Sequence, residues 1–120
     1  MTEKTIKIAG QDVRMRYCAA AENGFEDITG KDITKINYTS RKDRTSLAIA
    51  SIIAAYAATD EEPPIDTKDI LYNATQQELM DMDIAVKDLV AEWYHIPDVV
   101  AKSIEKEQED IDESETGKNS

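Results

Sequence analysis

The single histidine, His95, is where any imidazole base or hydrolytic triad would have to be built, and it stands at the end of an apolar stretch beside Trp93, Tyr94 and Pro97. Such a position suits a packed or helix-capping histidine better than a general base. A zinc site usually needs several Cys or His ligands, and the chain has one of each, Cys18 and His95, far apart. Carboxylates are abundant. Neither Asp81 with Asp83 nor the acidic run at 110–115 has the spaced oxygen ligands and central glycine of a calcium loop, so both read as solvated faces. Thr29-Gly30-Lys31 looks like the end of a phosphate-binding loop, but Phe25 stands where the first glycine belongs and Asp32 where a hydroxyl residue belongs. The expectation is a chain with no catalytic residue, no metal ligand and no cofactor site.

The elements that must position these residues are bounded first by size and charge. One hundred and twenty residues suffice for one domain with its own core, and 41% hydrophobic residues can fill it. A lone Cys18 forms no internal disulfide, and the opening MTEKTIKIAG has no apolar leader core, which points to a reducing cytosol. The longest apolar run, 47–58, is too short to span a bilayer. Fourteen basic against 25 acidic residues leave a net charge of −11, which repels nucleic acid and anionic membranes.

The pattern predicts an α+β fold, a mainly helical single domain over 1–104 with an N-terminal β-hairpin and a disordered acidic tail over 105–120. Period-two alternation places the hairpin at 5–17, with Gly10-Gln11 as its turn, Val13, Met15 and Tyr17 inward, and Lys7, Arg14 and Arg16 toward water. Helical spacing of Ala21, Phe25 and Ile28 predicts a helix over 18–29 stopped by Gly30, although Asn23-Gly24 in its middle weakens it. Residues 31–42 read as a loop with a short extended piece. A helix over 43–58 carries Ile49, Ile52, Ile53 and Tyr56 as its bulky stripe, with alanines elsewhere, and should be the centre of the core. After the break at Pro63-Pro64, Asp66 and Asp69 open a short helix over 66–73. Thr75 and Glu78 then form a capping box for a helix over 76–94, and a last helix is expected over 97–108.

With reactive centres absent, the candidate functional residues are those able to hold another protein: Trp93, Tyr94 and Phe25 as aromatic anchors, and Met80 and Ile84 as a second apolar line, continued by Ala91, on the back of the 76–94 helix. Packing between two neighbours inside the core explains the same line equally well.

In order, the hairpin TIKIAGQDVRMRY, the segment FEDITGKDI, the helix LAIASIIAAYAA and a T-x-x-E-L helix followed by an acidic tail resemble the tail assembly chaperones of long-tailed bacteriophages and prophages. The likeness spans most of residues 5–95, and only Phe25 to Lys31 in it is specific. It implies a small, mostly helical, non-enzymatic protein of the bacterial host cytoplasm. Such a protein would coat the tape-measure protein, recruit tail-tube subunits and leave before the tail is complete, with self-association into a homo-oligomer as a further expectation. Two alternatives share the features: an acidic nucleic-acid mimic that blocks a DNA-binding enzyme, and a structural tail-completion or connector protein.

Overall fold

The computed structural model describes residues 2–95. In chain order they form β1 (Glu3–Ile8), β2 (Gln11–Arg16), α1 (Ala19–Thr29), a single 3-10 turn at Ile33–Lys35 inside the expected loop, α2 (Arg41–Ala57), α3 (Thr67–Asn73) and α4 (Gln76–Trp93). The fold is α+β, a two-stranded antiparallel hairpin followed by four helices. The helix expected over 97–108 and the tail over 105–120 lie outside the described residues.

The hairpin turns one residue earlier than spacing suggests. Ala9 and Gly10, not Gly10 and Gln11, are its central pair, with φ of 52° and 79°, the two positive values that a tight turn matched to strand twist requires. Glycine reaches that region freely, whereas Ala9 enters it at a cost of roughly 1 kcal/mol. What holds Ala9 there comes from the far end of the chain: its N–H donates to Glu78 Oε1 at 3.0 Å. On the inward face Ile8, Val13, Met15 and Tyr17 are fully buried, and Ile6 packs against them. Arg14 keeps to the outward face as expected, with 31% of its side chain exposed, but it is also engaged by the fold. Its guanidinium lies 4.4 Å from the centre of the Tyr56 ring and bonds to Glu3, Thr59 and Glu61, while its backbone N–H donates to Tyr56 Oη at 3.0 Å.

α1 keeps its glycine for a packing reason. A Cβ on Gly24 would come within 3.1 Å of Ala50 Cβ on α2, so the ~1 kcal/mol lost in helix propensity permits the two backbones to approach closely. Ala21 and Phe25 are buried, but Ile28, expected to share their stripe, is exposed: helical spacing gives a direction, not the presence of a neighbour. Gly30, at φ 78°, ends the helix and donates its N–H to Glu26 O.

α2 begins two residues before the expected start, because Ser40 accepts the Asp43 N–H and so serves as its cap. Residues on every side of this helix are buried, among them Leu47, Ala48, Ile49, Ser51, Ile52 and Ala55. The one buried hydroxyl among these, Ser51, donates to Leu47 O at 2.9 Å within the helix. Ile53 departs from the expected stripe and is half exposed. Asp43, nearly fully buried, accepts from Lys31 Nζ at 2.6 Å and from the Asn37 N–H at 2.9 Å. Burial alone would raise the Asp43 carboxyl, but the Lys31 ammonium and the Asn37 amide outweigh it and hold it below the ordinary carboxylate range.

The capping box expected at α4 forms, and the pair expected only to open α3 makes a second one. Asp66 and Asp69 exchange backbone and side-chain bonds at the start of α3, and Thr75 and Glu78 do so at the start of α4. α4 buries Met82, Ala85, Val86 and Leu89. Asp83, expected on a solvated face, is instead mostly covered and accepts from Arg44 Nε at 3.2 Å, which ties α4 to α2. Arg44 also donates to Tyr38 O at 2.8 Å.

The close approach at Gly24 generates a direct test. Gly24→Val should destabilise the fold by about 1–3 kcal/mol through overpacking against Ala50, measured by urea unfolding, and adding Ala50→Gly should return part of that loss. Equal costs with and without the second change would place the strain elsewhere.

Candidate partner-binding surfaces

The aromatic residues at the end of α4 are first of all part of the fold. The Trp93 ring meets the buried Tyr17 ring edge-on with centres 5.8 Å apart, and Tyr94 lies tilted against Tyr17 at 6.5 Å. Glu22 of α1 accepts from Tyr17 Oη at 2.8 Å and also from Tyr94 Oη. One carboxylate thus joins the end of β2, the first turns of α1 and the end of α4. Trp93 and Tyr94 each keep one side open, at 37% and 50% exposure, so an anchor for a partner is available there only over the outer part of each ring. Phe25, the third aromatic candidate, is fully buried and drops out as a surface residue.

Met80 and Ile84 sit differently. Counting about 3.6 residues per turn, they lie roughly half a turn round from the buried Met82, Ala85, Val86 and Leu89, and they are 45% and 56% exposed. Of the two explanations that spacing leaves open for this line, packing between core neighbours does not apply to these two residues. Ala91 and Lys87, farther along the same line, are half-buried.

A third surface carries no sequence signal that singles it out. Between α2 and the segment leading into α3 runs a groove of about 390 Å³, floored by Ile49, Ile52, Ile65 and Ile70, walled by Ile53 and the Pro63-Pro64 pair, and rimmed by Glu62, Asp66 and Asp69. Beside it α3 buries only Ile70 and leaves Leu71 and Tyr72 exposed. The hint lies in α3 itself, a helix of seven residues with too few apolar positions on one face to bury them all.

The residues that the sequence singles out for chemistry take the following places in the fold. Thr29 Oγ1 donates to Phe25 O and accepts the Lys31 N–H, Gly30 supplies the helix stop, and Lys31 goes to Asp43, so Phe25 to Lys31 is a helix ending that delivers a cation to a buried carboxylate. His95 is exposed at φ 58°, just beyond α4, with its N–H on Glu92 O. Among the described residues no three His, Cys, Asp or Glu side chains converge as metal ligands, and no helix is long and apolar enough to cross a membrane. No protein-family model, no curated protein and no solved structure matches the chain.

Tyrosine ionisation should report on the aromatic corner. Burial, followed by the Glu22 hydrogen bond, drives the Tyr17 phenol far above its usual 10.0, and burial with nearby Tyr94 and Glu22 pushes Tyr38 up to about 12. The unfolded chain releases these protons near 10 while the folded chain retains them, so above that pH the unfolded state binds fewer protons and stability must fall as pH rises. Urea unfolding followed from pH 8 to 11 should show this decline, with a shallower slope in Tyr38→Phe. A flat profile would mean that the two phenols are not held protonated by the fold.

Proposed function

We propose that the chain is a non-enzymatic tail assembly chaperone of a long-tailed phage or prophage, one that holds apolar helical faces of a tape-measure protein and recruits tail-tube subunits. The observation that carries this reading is the outward line of Met80 and Ile84, on the side of α4 opposite its own core contacts. A helix packed on one side has no structural need of large apolar side chains on the other, and exposed apolar patches mark association surfaces. The groove beside α3, with Ile53, Leu71 and Tyr72 around it, adds a second apolar surface. The resemblance of the hairpin, the Phe25–Lys31 stretch, the Ala/Ile-rich helix and the T-x-x-E-L helix gives the partner its identity. A net charge of −11 keeps such a carrier soluble while it exposes apolar surface.

Co-expression with whatever tape-measure and tail-tube proteins the neighbouring genes encode is the test. The chain should co-purify with the tape-measure protein and be missing from finished particles, which separates a chaperone from a connector. Met80→Glu with Ile84→Glu should weaken capture by at least about tenfold and leave the thermal melt unchanged, since neither side chain is in the core. A chain that elutes apart from both neighbours, or a double variant that binds as well as the parent, overturns the reading.

A further inference from the structure

The two edges of the hairpin are treated unequally. The two-residue turn makes Ile8 and Gln11 a hydrogen-bonded pair, and at the other end the Tyr17 N–H donates to Thr2 O at 2.9 Å, which fixes the same alternation along the whole ladder. Lys4 with Met15 and Ile6 with Val13 therefore bond across the hairpin, whereas the backbone groups of the intervening residues point away from it. On β2 the outward N–H of Arg14 is taken by Tyr56 Oη. On β1 the outward N–H and C=O groups belong to Glu3, Thr5 and Lys7, and among the described residues nothing hydrogen-bonds to them. Thr5 and Lys7 are exposed, and α4, which packs against β1, supplies no backbone partner. An open strand edge of this kind is a template for another strand.

We propose that this edge pairs antiparallel with β1 of a second copy, about a two-fold axis through Thr5, to give a four-stranded sheet in the order β2, β1, β1 of the partner, β2 of the partner. The strand's own sequence selects that occupant. Centred on Thr5, the register sets Glu3 opposite Lys7 of the second copy and Lys7 opposite its Glu3, with the two Thr5 residues facing each other. All three outward residues of each strand then exchange both backbone bonds, about six in all. Shifting the axis by one residue toward the N-terminus sets Lys4 against Lys4. Shifting it the other way leaves Glu3 unmatched and loses a pair of bonds. Within each hairpin Glu3 already faces Arg16 and Lys7 already faces Asp12, so the completed row reads Arg16, Glu3, Lys7, Asp12, with charge alternating across four strands. Opposite charges directly across strands are the favourable arrangement, and self-complementarity is what a two-fold interface demands. The paired stretch is short, so the dimer should form at high concentration and dissociate on dilution.

The inference does not rest on the tail-assembly reading, because it is tested on the protein alone. Sedimentation over a concentration series should show mass rising toward twice the monomer, and amide exchange at Thr5 and Lys7 should slow as concentration rises. Thr5→Pro removes an outward donor at a position that costs the isolated hairpin no ladder bond, and it should leave the chain monomeric throughout. Lys7→Glu, which sets like charges opposite each other twice, should weaken the dimer by at least about tenfold. Thermal melts at low concentration check that both variants still fold, and if Thr5→Pro does not, Lys7→Glu with the amide-exchange series decides. A monomer at every concentration overturns the proposal. So do a dimer indifferent to both changes and amide exchange at Thr5 and Lys7 that ignores concentration.

Discussion

The packing of this fold turns on a helix that has to be enclosed from several directions at once. α2 meets α1 on one side, β2 on another and α4 on a third. A helix of large side chains could not be approached so closely all round, which is why Ala48, Ala50, Ala54, Ala55 and Ser51 fill most of its surface while Leu47, Ile49, Ile52 and Tyr56 supply the bulk. Enclosure also decides what its polar residues must do. Ser51 satisfies itself within the helix, and Asp43 is satisfied from outside by Lys31 and Asn37. Among the described residues no buried side-chain nitrogen or oxygen lacks a partner, as a tightly sealed core demands.

Several charged side chains act as ties between elements. Lys31 fastens the end of α1 to the start of α2, Arg44 fastens α2 to α4 through Asp83, and Arg14 fastens the hairpin to the end of α2 through Tyr56 and Glu61. Glu78 does two jobs with one oxygen, accepting the Thr75 N–H that starts α4 and the Ala9 N–H in the hairpin turn. Those amides hold its carboxyl below the ordinary range. Among the described residues three surfaces stay open beside these ties: the outer line of α4, the groove beside α3 and the free edge of β1.

Local chemistry was the readable part. The period-two hairpin, the helix stop at Gly30, the cap at Asp66, the capping box at Thr75, and the central place of the Ala-rich helix all follow from neighbours a few residues apart. The features that spacing missed depend on partners distant in the chain. Ala9 sits in a left-handed turn because Glu78 holds it, Arg14 is drawn over the Tyr56 ring, and Gly24 is explained only by Ala50. Periodicity also cannot report where a packed face ends: Ile28 and Ile53 share the spacing of a core that does not cover them, and Phe25, an anchor by residue type, is buried. Met80 and Ile84 were legible as a second line, but their outward direction was not.

The clasp between the first hairpin and the last helix bears on how the chain is made. Ala9 on Glu78 and Tyr17 on Trp93 join residues near opposite ends of the described fold. At translation speeds of roughly 5–20 residues per second, the ribosome releases the hairpin seconds before the helix that packs on β1 and against Tyr17. During that interval the nascent domain leaves the β1 side of its sheet uncovered beside an unpaired strand edge, even where α2 already lies on β2. The emerging polypeptide therefore stays open to mispairing with neighbours on the same polysome until α4 is complete.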